Sequence, residues 1–239
     1  KEANPNKVSE ALMKVVAFMR ENPRTKVVVN LSLGGPLLDE NIFVDAILIR
    51  SIYEQGGVTV VGAGNESLPF PNFASAFPEA VAVSALDQRE KKAEYSNYGQ
   101  HIDLAAPGRI EGKGIQAEGT SFASPRVAGL IAGMFMRNPA LTPLQALKII
   151  KDTADPVNDD YYRKGLLGKG KIDPQEALKK AMEFKKSSSL DYDFTKEEMK
   201  DVEVLRKTLN VKNVPPVAEP IPQFAGTNAN DEPKPVAVT

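Results

Sequence analysis

The chain has no cysteine and only one histidine among its 239 residues. Without cysteine it can form neither disulfides nor thiolate metal sites, which fits a secreted or cell-envelope protein without excluding a cytosolic one. No apolar run is long enough to cross a bilayer. The net charge of −1 and the lack of a basic cluster argue against a nucleic-acid partner. What remains is a globular protein with a sizeable core.

Short apolar runs alternate with longer segments of helical periodicity through residues 1–186. The runs at 26–33 and 58–63 are rich in β-branched residues and apolar on both faces, which predicts buried parallel strands. Thr142 and Asp173 each precede a proline and are predicted helix N-caps. The pattern predicts an α/β fold in which a mostly parallel sheet lies between two layers of helices. One of these helices, over 39–57, is predicted from the apolar positions Val44, Ile47, Leu48 and Ile52.

The composition changes at about residue 186, so residues 1–186 form the predicted domain. Residues 187–239 begin with a polar linker. A short helix is predicted next, because Thr195 and Glu198 form a capping box before an apolar stripe. The proline-rich remainder is predicted to be an extended or disordered tail that could lie along a partner.

The segment "GTSFASP" places Ser121 after a Gly-Thr turn and before an apolar helix. At a helix N-terminus, free N–H groups and the helix dipole favour a developing oxyanion, so Ser121 is a candidate nucleophile. Pro125 is predicted to sit where its missing N–H costs nothing. The alternative is that Thr120 or Ser121 serves only as a helix N-cap.

Two further segments end predicted strands with residues suited to the same chemistry. Asn65 follows Gly62 and Gly64, and its side-chain amide could donate a hydrogen bond to an oxyanion, although asparagine is also an ordinary turn residue. The strand at 26–33 ends in Gly34-Gly35, which leaves backbone open for pairing with an extended peptide. An ordinary strand terminus is the alternative there.

Together these segments resemble the subtilisin-like serine proteases (subtilases) over most of residues 26–181. Five segments match in the family's order: the Ser-Leu-Gly-Gly strand, the Gly-Asn turn, "EYSNYGQHIDLAAPG", "GTSFASPRVAG" and "GKGKIDPQEAL". The resemblance implies a three-layer α/β/α fold and a polypeptide substrate. It implies that Ser121 is the nucleophile and that the oxyanion hole consists of the Asn65 side chain and the Ser121 N–H.

The resemblance also implies the walls of the substrate cleft. One wall would be formed by Ser32, Leu33, Gly34 and Gly35, and the opposite wall of the first specificity pocket by Gly62, Ala63 and Gly64. Glu66 would lie near the rim of that pocket, where it either favours a basic substrate residue or is a solvated loop charge. The family requires no cofactor for catalysis. Structural calcium is common in it, but no acidic cluster here is clear enough to name as a site.

The catalytic Asp and His of the family precede the serine in the chain, and their signatures are absent from this sequence. His101 lies in a loop that follows the Gly-Asn turn and is predicted to be structural. Glu118 lies on an extended segment that points away from Ser121 or toward the substrate. A lysine base would need a buried lysine of lowered pKa, and no lysine lies in an apolar run. The sequence therefore predicts no catalytic base in this chain.

Two explanations of the missing base remain open. In the first, Asp and His belong to a separate N-terminal chain of the same precursor, cut before Lys1. The start without methionine and the apolar strand at 27–31, which alone would be a bare sheet edge, favour this explanation. In the second, the chain is an inactive pseudoprotease that binds peptides or proteins, a reading against which the intact Ser121 argues.

Overall fold

The computed structural model describes residues 5–33, 42–72, 74–112, 114–184 and 236–238. The predicted linker, the predicted helix that opens with Thr195 and most of the proline-rich tail lie outside these ranges. None of the helices in the described ranges is long and apolar enough to cross a membrane.

The centre of the fold is a five-stranded parallel sheet. Its members are runs of β-branched or small apolar residues, which suit strands that are buried on both faces. The strands are β1 (Val27–Leu31), β2 (Val58–Gly62), β3 (Ala80–Leu86), β4 (Leu104–Pro107) and β7 (Val236–Val238). Their spatial order is β4-β3-β2-β1-β7.

Helices cover the sheet on both faces, which confirms the predicted fold class. Alternate side chains of β1 point to opposite layers, since Val27 and Val29 lie in one apolar core and Val28 lies in the other. The first core contains helices α1 (Pro5–Glu21) and α2 (Ile42–Glu54). The second contains α3 (Thr120–Arg137), α4 (Pro143–Asp152) and α6 (Pro174–Glu183). A short helix, α5 (Asp160–Arg163), precedes α6.

The predicted N-caps are confirmed. The Thr142 hydroxyl accepts a hydrogen bond from the Gln145 N–H, and the Gln145 side chain accepts one from the Thr142 N–H, which completes a capping box. The Asp173 carboxylate accepts from the N–H groups of Gln175 and Glu176 at the start of α6. Both devices are local in sequence, and such caps can be recognised without a structure.

Helix α2 buries only part of the face predicted from its apolar residues, since Ile52 is buried and Leu48 packs against the core. Val44 and Ile47 are exposed, whereas Asp45, Ile49 and Ile52 are buried. A buried carboxylate requires a hydrogen-bond partner, and the Ser9 hydroxyl of α1 donates to Asp45 at 2.6 Å. This contact between two helices, 36 residues apart in sequence, fixes the orientation of α2.

The outer edge of β1 is paired, so the prediction of a bare edge is wrong. Strand β7 runs parallel to β1, with Val27 opposite Val236 and Val29 opposite Val238. Residues 236–238 thus form a strand of the sheet although they belong to the predicted tail. Along Val27–Val29 the same chain therefore pairs with the edge that the strand would otherwise expose.

A two-stranded antiparallel hairpin, β5 (Arg109–Gly112) and β6 (Ile115–Glu118), precedes α3. This hairpin is not among the predicted strands, because each of its strands has only four residues and one or two apolar side chains. An ion pair across the hairpin joins Arg109 and Glu118 at 3.2 Å. The hairpin ends one residue before Gly119 and so sets where α3 begins.

Candidate active site

Three segments that the sequence singles out meet at the carboxyl edge of the sheet. Strands β1 and β2 are neighbours and parallel, so Ser32 and Asn65 follow strands that end at the same edge, which is where ligands bind in open α/β sheets. The N-terminus of α3 lies between them. Ser121 Oγ is 3.5 Å from the Ser32 carbonyl oxygen, and the Thr120 N–H donates to Asn65.

Ser121 is the second residue of α3, and the N-cap of this helix is Gly119. Neither Thr120 nor Ser121 therefore occupies the capping position. The Ser121 side chain is half-buried, and its N–H makes no hydrogen bond within the described part of the chain. A free N–H at the positive end of an 18-residue helix is suited to an anion.

Pro125 lies inside α3, so the prediction that its missing N–H costs nothing is wrong. In an uninterrupted helix the N–H of residue 125 would donate to the Ser121 carbonyl. Here the Ser32 hydroxyl donates to that carbonyl instead, at 3.0 Å. Ser32 Oγ in turn accepts from Asn30 Nδ2 at 2.9 Å. The backbone of the candidate nucleophile is thereby attached to the end of β1.

The amide of Asn65 is oriented by Thr120. Asn65 Oδ1 accepts from the Thr120 N–H at 2.8 Å and from the Thr120 hydroxyl at 3.1 Å, which uses both of its acceptor positions. Asn65 Nδ2 makes no hydrogen bond to any residue that the structure describes, and the side chain is exposed. The amide hydrogens are consequently available to a ligand.

The two available donor nitrogens both lie close to Gly119. A Cβ atom placed on Gly119 would lie 3.7 Å from Ser121 N and 3.8 Å from Asn65 Nδ2. Both donors are thus close to a single point at the mouth of α3. Thr120 orients the candidate residue Asn65, although the sequence alone indicates Thr120 only as a possible helix cap; its position directly before Ser121 is the signal that points to it.

The two glycines at the end of β2, Gly62 and Gly64, have no room for a side chain. A Cβ on Gly62 would be 3.0 Å from Thr120 Oγ1. Gly64 has φ +107, and a Cβ there would lie 2.6 Å from Glu66 Oε2; both the backbone and the space therefore require glycine. Ala63 between them is fully buried. On the opposite side the structure places Ser32 and Leu33 after β1, while Gly34 and Gly35 lie outside the described residues, so their predicted role stays a prediction.

Glu66 follows Asn65 on the exposed loop beyond β2. Its carboxylate oxygen Oε2 accepts a hydrogen bond from Asn97 Nδ2 at 2.8 Å. This bond holds the negative charge beside Gly64, against the candidate wall. The charge is therefore fixed to the edge of the cleft, yet open to water.

Neither His101 nor Glu118 is hydrogen-bonded to Ser121. The imidazole of His101 packs against Gly99, where an added Cβ would lie 2.7 Å from Nδ1, and its Nε2 is buried without a partner among the described residues. Glu118 is exposed and forms an ion pair with Arg109. Both observations agree with the prediction that neither residue is the base.

Lys92 is buried although it lies in no apolar run of the sequence. It is only 9% exposed, and burial lowers its pKa, although the charges of Asp159 and Glu94 oppose that effect. The ammonium donates to three backbone carbonyls, at Ala93, Glu94 and Ser96. It also lies 5.2 Å and 5.0 Å from the centroids of two tyrosine rings, Tyr98 and Tyr161. The ammonium of Lys92 is thus surrounded by these carbonyls and rings, and it makes no hydrogen bond to Ser121.

His101 is expected to make the fold less stable in acid. Burial lowers its pKa to about 4, against a smaller opposing effect of Asp103, whereas the unfolded chain titrates near pH 6.5. Above pH 6.5 both states are neutral and His101 contributes nothing. Between pH 6.5 and 4 only the unfolded state binds the proton, so the free energy of unfolding falls by up to about 3 kcal/mol.

Urea unfolding of the wild-type chain and of His101→Gln at pH 7 and pH 4.5 tests this expectation. The variant should lose less stability between the two pH values than the wild type does. An equal fall in the free energy of unfolding in both proteins would show that the group responsible is not His101 but another titrating side chain.

No group of three or more histidine or acidic side chains in the described ranges is arranged to hold a metal ion. The expectation of structural calcium stays a prediction.

Comparison with known families gives a match to the subtilase family over residues 3–184. Thermitase of Thermoactinomyces vulgaris is 30% identical over 146 residues, which cover 58% of this chain and 50% of thermitase. Subtilisin BL of Lederbergia lenta is 31% identical over 147 residues, covering 59% of this chain and 54% of the relative. The chain thus spans about half the length of these relatives.

Solved structures show the same similarity. A protease from Pseudoalteromonas arctica superposes with a TM-score of 0.56 at 28% identity, covering 64% of this chain and 51% of that one. A lanthipeptide protease gives a TM-score of 0.60 over 74% of this chain and 66% of its own, at 20% identity, which supports the fold alone. With the parallel sheet, the serine at the start of α3 and a family match over most of its residues, this chain belongs to the subtilase family.

Proposed function

We propose that this chain is the nucleophile-bearing part of a serine endopeptidase that hydrolyses polypeptides through an acyl-enzyme. The observation that carries the proposal is the orientation of Asn65. Its carbonyl oxygen is held by Thr120, and its free amide nitrogen lies 3.8 Å from the point beside Gly119 that is 3.7 Å from Ser121 N. Two free donors close to one point beside a serine hydroxyl are suited to stabilise a tetrahedral oxyanion.

The proposed reaction begins when a base takes the proton of Ser121 and Oγ attacks the substrate carbonyl carbon. The carbonyl oxygen becomes an oxyanion that accepts hydrogen bonds from Asn65 Nδ2 and the Ser121 N–H. Collapse of this intermediate breaks the peptide bond, and the base returns its proton to the leaving amine. Water then hydrolyses the ester on Ser121 by the same steps.

The catalytic His and Asp are proposed to come from an N-terminal chain of the same precursor. The support is that the only histidine of this sequence, His101, packs against Gly99 and makes no hydrogen bond to Ser121. The paired edge of β1 gives this part of the proposal no support, because β7 already occupies it. A location outside the cell or in its envelope is part of the same proposal.

Native mass spectrometry of the purified protein tests the arrangement. The expected result is a complex with a second polypeptide that carries an Asp-x-Gly motif and a His-Gly-Thr-His-like motif. A fluorophosphonate should label that complex. A soluble monomer that does not react with the fluorophosphonate would contradict the proposal and favour a peptide-binding pseudoprotease.

Glu66 is proposed to favour a basic substrate residue before the scissile bond. Its carboxylate is fixed beside Gly64 by Asn97, so a cationic side chain in the first pocket would meet a negative charge at the rim. A peptide library should show faster cleavage after Lys or Arg than after Phe or Leu. Glu66→Gln should reduce this ratio by no more than about fivefold, because an exposed ion pair contributes at most about 1 kcal/mol.

Glu183→Gln is the matched control, since Glu183 is an exposed glutamate at the end of α6. It should leave the ratio unchanged. A wild-type preference for Phe and Leu, or an unchanged ratio in Glu66→Gln, would identify Glu66 as a solvated loop charge.

A further inference from the structure

The loop that carries Asn65 has no regular structure to hold it in place. Residues 65–70 are all exposed, and the loop contains two positive φ angles, at Gly64 (φ +107) and Ser67 (φ +56). Such conformations persist when surrounding groups determine them. An oxyanion donor nevertheless has to be held to within a few tenths of an ångström. The loop therefore needs an external restraint.

Asn97 supplies hydrogen bonds to this loop on both sides of Asn65. Before Asn65, Asn97 Nδ2 donates to the Ala63 carbonyl at 3.1 Å, and the Asn97 N–H donates to the Gly64 carbonyl at 3.0 Å. After it, Asn97 Oδ1 accepts from the N–H groups of Glu66 at 3.0 Å and Leu68 at 2.9 Å. With the bond from Nδ2 to Glu66 Oε2, the side chain uses its full capacity of two donors and two acceptor positions.

Asn97 is itself held rigidly, so it can act as a fixed point. It is 2% exposed. Its carbonyl accepts from the Ser96 hydroxyl at 3.0 Å, and that hydroxyl also accepts from the Ala85 N–H of β3. The carbonyl of Ser96 accepts from the buried ammonium of Lys92 at 3.0 Å. A buried network that satisfies its polar groups is stiff, because each group left unpaired would cost free energy.

We infer that Asn97 is a positioning residue of the oxyanion hole: it fixes the loop so that the amide of Asn65 faces the substrate oxyanion. This inference rests on the proposed role of Asn65. Two residues then determine the position and orientation of the Asn65 side chain. Thr120 orients its carbonyl oxygen, and Asn97 fixes the backbone from which the side chain extends.

A double-mutant cycle in the assembled protease tests the inference. Asn97→Ala should lower kcat by about ten- to a hundredfold with little change in KM, because a misplacement of about 1 Å can cost about a hundredfold. In an Asn65→Ala background the same change should have almost no effect on kcat, because the group that Asn97 positions is gone. A residue that only stabilises the fold would lower activity equally in both backgrounds.

Asn138→Ala is the matched control. The amide of Asn138 also donates to backbone carbonyls of a neighbouring segment, at Ala181 and Phe184, but it lies at the other end of α3. The Asn138→Ala change should lower the free energy of unfolding and leave kcat unchanged in both backgrounds. Equal costs of Asn97→Ala in both backgrounds would overturn the inference. A harmless Asn65→Ala would instead overturn the proposed role of Asn65.

Amide hydrogen exchange gives a readout that is independent of activity. The N–H groups of Glu66 and Leu68 should be protected in the wild type and should exchange faster in Asn97→Ala. Asn97→Ser keeps a hydroxyl but is too short to reach both amides, so it should also speed their exchange; this variant replaces Asn97→Ala if the latter does not fold. Unchanged exchange of both amides in the folded variant would contradict the inference.

Discussion

Ser121→Ala is expected to abolish peptidase activity and fluorophosphonate labelling, while the protein stays folded. Loss of the nucleophile in subtilisin lowers kcat by about a millionfold, and a similar loss is expected here. The fold should tolerate the change because Ser121 Oγ makes only a long contact of 3.5 Å to the Ser32 carbonyl. The bond that attaches this turn to β1 uses the Ser121 carbonyl, which alanine retains.

The measurement is peptide hydrolysis and fluorophosphonate labelling, with circular dichroism and thermal unfolding to confirm the fold. Ser51→Ala is the control, because Ser51 is also a half-buried helical serine but lies on α2. It should retain full labelling. An active Ser121→Ala protein would refute the assignment of the nucleophile.

Asn65→Ala is expected to lower kcat by about a hundred- to a thousandfold with little effect on KM. That magnitude is the one known for loss of the oxyanion-hole asparagine of subtilisin, a member of the same family. The reason for the kcat effect is that Asn65 Nδ2 has no partner among the described residues in the resting protein. Its hydrogen bond forms with the charge that develops in the transition state, so ground-state binding changes little.

Steady-state kinetics on a peptide amide, with kcat and KM determined separately, checks this expectation. Asn158→Ala serves as the control because the side chain of Asn158 contacts Arg163 near α5, and it should leave both constants unchanged. An increase in KM at constant kcat would show that Asn65 contributes to substrate binding and not to the oxyanion hole.

The fold was predictable from sequence where the signals are local. The β-branched runs of β1 and β2 indicate buried strands whatever surrounds them. The Thr142-Pro143 and Asp173-Pro174 pairs mark helix starts by the chemistry of two adjacent residues. Ser121 and Asn65 are predicted site residues for a related reason, since each lies in a short segment of distinctive composition.

The features that sequence reasoning missed depend on contacts between distant segments. The buried face of α2 is fixed by the bond from Ser9 to Asp45. The orientation of Asn65 depends on Thr120, 55 residues later, and on Asn97, about 30 residues later. Lys92 lies among polar residues in the sequence and is buried only because a turn and two tyrosine rings enclose it. None of these pairings has a signature within a short window.

Pro125 weakens helix α3 and at the same time leaves the Ser121 carbonyl without its usual helical donor. A proline inside a helix ordinarily costs about 3 kcal/mol, and a substitution that restored the N–H at position 125 would supply a donor for the Ser121 carbonyl. With proline at position 125, this carbonyl accepts instead from the Ser32 hydroxyl at 3.0 Å. The first turn of α3 gives up a hydrogen bond within its own helix and gains one to the segment that follows β1, beside the candidate cleft.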